Sequence, residues 1–489
     1  MNQKIHYFLF LILSLQINFV VSQNTKFERS YGSNGYDYGY SVKQTFDNGF
    51  IIAGSSNSYG DGSSDAYIIK IDSAGGGLWH KTFGGINIDK AYSIQETSDS
   101  GFVIAGYTNS FGAGGYDIYV VRTNKTGDTL WTKTYGGIDW DFGFSIETTN
   151  DGGFIIAGGT YSSGAGSEDM YLIKTDASGI INWTKTYGGT NDDEAKSVKQ
   201  TSDGGYILAG YTKSFGDVNK DIYIVKTDNT GDTLWTKKFG GTAEDEAADI
   251  IEATNGEFVF VGGTASSGVG EVDCIIFRIG ANGDSLWSHT YGTLHYNFAS
   301  SIIETPSQNL IFSNTTEDSG GGLRDANIFM ADMGGWFINT RTYGAFSNEE
   351  TYSIDYCRDK GYVICGSTDG YDAAFTDIYV VKTDSTGISA PFIISVNEID
   401  QNIQKLNIYP NPAQSSESIN INIPKLLINS EESTLLITDV SGSIIRKIQI
   451  AKNEPAHNVE LKNIESGAYF ISLFNGQNII AHSKIIVIK

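Results

Sequence analysis

From Tyr31 to Gly387 short runs rich in Val, Ile, Tyr, Phe, Trp and Thr alternate with short runs of Gly, Asp, Asn and Ser. In the stretch Ala91 to Gly137 the apolar runs are Tyr92–Thr97, Phe102–Thr108, Asp117–Thr123 and Leu130–Tyr135. β-Branched and aromatic residues suit strands, and the polar runs carry turn chemistry. No window has a helical period, so the stretch reads as four strands. It also recurs. An aromatic-Gly pair closes each copy at Tyr31, Phe83, Tyr135, Tyr187, Phe239, Tyr291 and Tyr343, each 52 residues after the last, from 31 to 83 and so on to 343. A fixed period of this size means stacked supersecondary units. A lone four-stranded sheet leaves both faces open, whereas radial stacking buries them against two neighbours. The pattern predicts an all-β protein built on a seven-bladed β-propeller with four-stranded blades.

Comparing the copies shows what the architecture requires. Gly follows the third strand in all seven (Gly75, Gly127, Gly179, Gly231, Gly283, Gly335, Gly387), as a turn with positive φ demands. Asp opens the third strand in all seven (Asp65, Asp117, Asp169, Asp221, Asp273, Asp325, Asp377), where a short carboxylate can accept from turn N–H groups. Trp79, Trp131, Trp183, Trp235 and Trp287 occupy the fourth strand and read as packing between sheets. The sixth copy is degenerate. It has Asn297 where others carry Asp, Asn314 where others carry Gly, Met330 where others carry Lys or Arg, and Trp336 out of register. If one blade departs in shape, this is the one expected to.

The ends of the repeat region predict closure. The seventh copy lacks its fourth strand, with Pro391 and Ser395 at the expected Trp and Tyr positions. At the other end, Phe27–Tyr31 matches a fourth strand with no first three before it. The N-terminal strand is therefore expected to complete the last blade, removing two exposed sheet edges.

Outside the repeats the composition changes. Residues 1–22 read as a signal peptide, with Lys4, an apolar run from Tyr7 to Val21, and Val20 and Ser22 at cleavage-like positions before Gln23. The run is short for a membrane span, and no other stretch could cross a bilayer as a helix. Residues 23–387 are the propeller, 388–403 a linker, and 404–489 a second domain of seven short strands that suggests an immunoglobulin-like sandwich. The net charge of −24 argues against nucleic acid and suits a soluble or surface-exposed protein, expected to be monomeric. Cys274, Cys357 and Cys365 are too few for a disulfide framework; Cys357 and Cys365 are expected on opposite faces of a hairpin, unbridged.

The second domain carries a family resemblance. Tyr409-Pro410-Asn411-Pro412, then Asp439-Val440-Ser441-Gly442, then Ser466-Gly467-Ala468-Tyr469, and the closing run Lys484 to Lys489 resemble the type A C-terminal sorting domain of type IX secretion. The resemblance implies export to the periplasm by the signal peptide, then passage across the outer membrane of a gram-negative bacterium by the type IX machinery, leaving the cargo secreted or at the cell surface. The repeats also resemble bacterial propeller repeats with Tyr-Gly-Gly, Asp-Gly-Gly-Phe and Ala-Gly-Tyr-Thr-x-Ser, which speaks to fold alone.

Three constellations could carry chemistry. One is a carboxylate ring six residues after each aromatic: Asp37, Asp89, Asp141, Asp193, Asp245 and Glu349. It shares a face with the third-strand Asp series, and such oxygen-rich sites suit Ca²⁺. A residue repeated in nearly every blade is, however, more simply structural. The motif Thr227-Asp228-Asn229-Thr230-Gly231-Asp232-Thr233-Leu234-Trp235 resembles the tryptophan-docking repeat of quinoprotein dehydrogenases, but no adjacent Cys pair accompanies it. Finally, the hairpin-turn acids Asp47, Asp99, Asp151, Asp203 and Asp359 are expected to pair with the third-strand base of the same blade. No His-x-x-x-His spacing, nucleophile elbow or phosphate loop is present. The sequence therefore points to a non-enzymatic exported propeller with no cofactor beyond an optional Ca²⁺, binding an unidentified protein or glycan. The alternatives are an extracellular carbohydrate-active hydrolase or lyase and, behind it, a quinoprotein-like oxidoreductase.

Overall fold

The structure is a computed structural model. It describes residues 26–390, apart from 217, 318–323, 345–346, 371–372 and 374. It also describes 404–488, apart from 415–417, 424–432, 440–443, 452–455, 463, 465–466 and 476–477. The signal peptide and most of the linker lie outside the described residues.

The first blade is β2 (Asp37–Gln44), β3 (Phe50–Ser56), β4 (Asp65–Ile71) and β5 (Gly77–Phe83), paired in that order. Strands β6 to β25, from Asp89 to Tyr343, build five more blades of the same order. The last blade joins β26 (Glu349–Tyr356), β27 (Tyr362–Thr368) and β28 (Asp377–Lys382) to β1 (Phe27–Tyr31). The register of β1 on β28 is antiparallel, from Phe27 opposite Lys382 to Tyr31 opposite Ile378. The expected closure by the N-terminal strand is therefore present, and seven sheets form the ring.

The core lies between blades. Ile51, Ala53, Ile68, Ala91, Ile104 and Val121, for example, are one buried cluster shared by the first two blades. Residues of the second and third strands are buried on both faces, which is why those strands read as near-continuous apolar runs. The Trp series is only partly buried. Trp79, Trp131, Trp183 and Trp235 lie across the seam against Phe102, Phe154, Tyr206 and Phe258 of the next blade, with ring centroids 5.8–6.2 Å apart. The seven turn glycines have φ between 74° and 81°, and a Cβ on Gly127 would strike Trp79 of the preceding blade. Tyr31, Tyr135 and Tyr187 donate their hydroxyls to Gly75, Gly179 and Gly231 carbonyls at 2.7 Å, stitching each blade to the next.

The sixth blade departs in chemistry, not in topology. Its four strands keep the common order, register and bulges. All three cysteines are buried and none is in a disulfide, and burial pushes the thiols of Cys357 and Cys365 far above their usual range.

The C-terminal domain has β29 (Gln404–Lys405), β30 (Asn407–Tyr409), β31 (Ala413–Gln414), β32 (Ser418–Asn422), β33 (Ser433–Asp439), β34 (Ile444–Ile450), β35 (Ala456–Glu460), β36 (Gly467–Asn475) and β37 (Asn478–Ile488). These form a six-stranded and a three-stranded sheet over one core that includes Ile421, Leu435, Val459, Ile471 and Ile485. Among the described residues no helix is long and apolar enough to cross a membrane.

Candidate ligand site in the central channel

The innermost strand of every blade carries a β-bulge at the same place. In β2 the register breaks between Gly39 and Ser41, and the equivalent break recurs in all six other blades. A bulge leaves one residue outside the ladder and re-aims its side chain. The bulge residues are Tyr40, Tyr92, Phe144, Lys196, Ala248, Ser300 and Tyr352, and all of them line one cavity of about 460 Å³ in the channel. The flanking positions are uniform: Gly or Ala precedes in six blades, and Ser follows in six, with Asp249 the exception. The fold thus repeats the geometry of the bulge without repeating its chemistry.

The chemistry divides the cavity in two. On one side Tyr352, Tyr40, Tyr92 and Phe144 form a continuous aromatic wall over four neighbouring blades. Their consecutive ring centroids are 5.3, 4.6 and 5.3 Å apart. Burial drives the hydroxyls of Tyr40, Tyr92 and Tyr352 well above their usual range, so they stay neutral. Lys196 ends the wall, with Nζ 4.5 Å from the Phe144 centroid.

On the other side the two small bulge residues, Ala248 and Ser300, leave room for longer side chains from adjacent registers. Arg324 stands over Tyr296 at 5.0 Å and is held by Glu317 (Nε to Oε1, 3.1 Å) and Glu350 (Nη1 to Oε1, 2.5 Å). Tyr352 donates its hydroxyl to the other oxygen of Glu350. Lys196 is paired with Glu194 and lies 3.9 Å from Glu246. Burial alone would lower its pKa, but Glu194 and Glu246 outweigh that and raise it. Beside this group Glu168, only 3 % exposed, accepts from Tyr161 at 3.1 Å. Burial first, and then the facing Glu194, push the Glu168 carboxyl up to about 8.

The carboxylate ring anticipated from the sequence lies elsewhere. Asp37, Asp89, Asp141 and Asp193 are fully buried, and each bonds within its own blade. Asp89, for instance, accepts from Gly85 N–H at 2.8 Å and Ser110 Oγ at 2.7 Å. Asp245 accepts from Gly241 N–H at 2.8 Å, and Glu349 from Thr368 Oγ1 at 2.8 Å. The close acidic neighbour of each is the third-strand Asp of the preceding blade. A Cβ on Gly84 would lie under 3.0 Å from both Asp65 Oδ1 and Asp89 Oδ2, so two carboxylates clasp that glycine across the seam. At the closing seam Asp377 faces Asp37 in the same way; burial first, then Asp37, raise Asp377 to about 7. Among the described residues no three of His, Cys, Asp or Glu converge as a metal cluster. The third-strand carboxylates also accept turn N–H groups as anticipated, for example Asp169 from Ala165 at 2.8 Å and Gly166 at 2.9 Å.

The intrablade ion pairs are present: Lys70–Asp47 at 3.0 Å, Arg122–Asp99 at 2.6 Å, Lys174–Asp151 at 2.8 Å, Lys226–Asp203 at 2.9 Å and Lys382–Asp359 at 2.8 Å. In the fifth blade Arg278 uses Glu257 instead. Of the sorting residues, Tyr409 is half exposed at the end of β30, and Pro410, Asn411 and Pro412 form an exposed bend. Asn411 Oδ1 accepts from Ile486 N–H at 3.0 Å, tying that bend to β37. Gly467 opens β36 and Tyr469 is buried in the core. Lys484 lies on β37, whereas Gly442 and Lys489 are outside the described residues.

Residues 407–489 match the family model described as "Secretion system C-terminal sorting domain". The domain marks the chain for type IX secretion, to the cell surface or extracellular space of a gram-negative bacterium. Among curated proteins the chain is 27% identical over 198 residues to "Regulatory protein FlaEY" of Caulobacter vibrioides; the match covers 35% of this chain and 20% of that protein. The chain thus spans about a fifth of that relative's length. Among solved structures it is similar to the Pan2 WD40 domain of Neurospora crassa (10% identity, TM-score 0.43, covering 75% of this chain and 98% of that one). It is also similar to polysaccharide lyase Uly1 (11% identity, TM-score 0.45, covering 76% and 94%). At these scores neither likeness carries functional weight.

Proposed function

We propose that the chain is an exported, non-enzymatic binding protein that takes its ligand at the bulge-lined cavity of the propeller channel. The observation that supports this is the asymmetry of the bulge register. Seven geometrically equivalent positions hold Tyr, Tyr, Phe, Lys, Ala, Ser and Tyr, a variety that blade packing does not require. A concave pocket of a few hundred Å³ with an apolar wall and a few convergent polar groups is the usual form of a small-ligand site. The partners that fit the reading are the type IX machinery during export and a glycan or protein ligand afterwards. The test is a glycan and protein-partner screen of the purified full chain, with and without Ca²⁺, repeated with Tyr92→Ala. Binding that the variant abolishes supports the reading, and binding indifferent to it refutes the channel.

One observation favours an extracellular hydrolase or lyase instead. Glu168, a carboxyl pushed up to about 8, sits beside the second carboxyl of Glu194. A raised carboxyl is what general-acid catalysis uses. Glu168 is buried, however, and among the described residues the cavity lining includes no His or Cys. Release of reducing ends or of unsaturated products from a polysaccharide by the purified chain would overturn the non-enzymatic reading.

A further inference from the structure

The charges in the channel cavity are already spoken for. Lys196 is paired with Glu194 and lies near Glu246, which Lys220 holds at 2.8 Å, and Arg324 is shared by Glu317 and Glu350, so four carboxylates surround three cations. Among the described residues an anionic ligand would find no unpaired cation there, and it would approach a chain of net charge −24. A cationic ligand would have to compete with the Lys and Arg that already hold these carboxylates. What the ion pairs leave available is hydrogen bonding. Carboxylate oxygens keep lone pairs, and the Arg324 guanidinium has five N–H donors, of which the two ion pairs engage only Nε and Nη1.

Opposite these groups stands the wall of Tyr352, Tyr40, Tyr92 and Phe144. A ligand that suits both sides must have a flat apolar face and a margin of neutral donors and acceptors. A pyranose ring has that form: axial C–H groups on one face and hydroxyls around the edge. Resting on the channel reading above, we infer that the cavity binds a neutral glycan, a short oligomer of uncharged hexoses, and discriminates against uronate or sulfated chains. Tyr40 and Tyr92 stack on each other, so the ring edges of the aromatic wall take the C–H face, while Glu350, Glu246 and Arg324 take the hydroxyl edge. The cost of ordering is low, because the ion pairs and the stacked rings hold the site in shape before the ligand arrives.

The experiment is titration calorimetry of the full chain with cellotetraose, maltotetraose and mannotetraose. Tetragalacturonate and a chitosan tetramer serve as the anionic and cationic counterparts, each at low and high salt. The expected result is saturable binding of a neutral tetramer with little salt dependence and none of the tetragalacturonate. Tyr92→Ala and Glu350→Gln should each weaken it about tenfold or more, the scale of losing a large apolar contact or a charged hydrogen bond. Tyr92→Phe should retain binding, and thermal melts of each variant report folding separately. Preference for the uronate or the chitosan tetramer, still abolished by Tyr92→Ala, would overturn the neutral class while leaving the channel in place. Binding that ignores Tyr92 and Glu350, or no binding across the panel, would overturn the inference; the partner screen with Tyr92→Ala then decides the channel separately.

Discussion

The ion pair of the fourth blade offers a sharp test of how these blades are held. Lys226 Nζ contacts both oxygens of Asp203, at 3.1 and 2.9 Å, and the Thr227 carbonyl at 3.0 Å. The Lys226 side chain is 4% exposed and that of Asp203 58%, so the pair is buried at one end only. Fully exposed pairs contribute under about 1 kcal/mol, whereas stranding one member of a buried pair costs roughly 3–5 kcal/mol. Asp203→Ser strands a buried ammonium but lets some water reach it, so its cost should fall between, about 2 kcal/mol. The sixth blade shows the relief: Ser307 and Met330 occupy the two positions, and Met330 is buried without a charge. Asp203→Ser with Lys226→Met should therefore cost less than Asp203→Ser alone, with a coupling of about 1–2 kcal/mol in urea denaturation.

The coupling also has a pH window. Burial by itself would raise Asp203, but the hydrogen bonds from Lys226, Thr201 and Gly205 outweigh it and hold the carboxyl near 2, below the usual 3.8. A depressed carboxyl contributes stability above its unfolded pKa and loses it as pH falls through the folded one. The coupling should be full at pH 7 and vanish toward pH 2. A double variant as damaged as the sum of the singles, at pH 7, would refute the reasoning.

Other expectations can be checked alongside. Gly84→Ala should lower the melting temperature by several degrees, since the new Cβ meets two carboxylates from different blades; an unchanged melt would mean the seam opens freely. Asp377, raised to about 7, favours folding while protonated, in full below about pH 4, and loses that contribution as pH rises through 7. Asp377→Asn should accordingly raise the melting temperature at pH 8 but not at pH 4. Tyr135→Phe should cost about 1 kcal/mol for the lost hydroxyl bond to Gly179, a modest loss because Phe83 and Phe239 already do without it.

Much of this architecture was legible because the chain aligns with itself seven times. The blade count, the Phe27–Tyr31 closure, the turn glycines and the Lys–Asp pairs all follow from comparing copies. The bulge was not legible: it adds a residue to one strand in every copy, so the 52-residue period absorbs it and no spacing betrays it. The signal that could have exposed the site was variation, since the ninth residue after each aromatic changes while its neighbours stay Gly, Ala and Ser but for Asp249 and Thr351. The more regular Asp ring carries no such variation, and its regularity reflects a carboxylate clasp across six of the seven seams, with Asn297 replacing one partner at the other. That clasp joins positions from different copies, which a within-copy reading does not bring together.

The most direct test is a crystal structure of the chain soaked with the neutral tetramer that binds best. The account predicts density in the channel, a sugar face against the ring edges of Tyr92 and Tyr40, and hydroxyls on Glu350 and Arg324. Density confined to the outer strands, the seams or the C-terminal domain, with the channel holding only water, would contradict it.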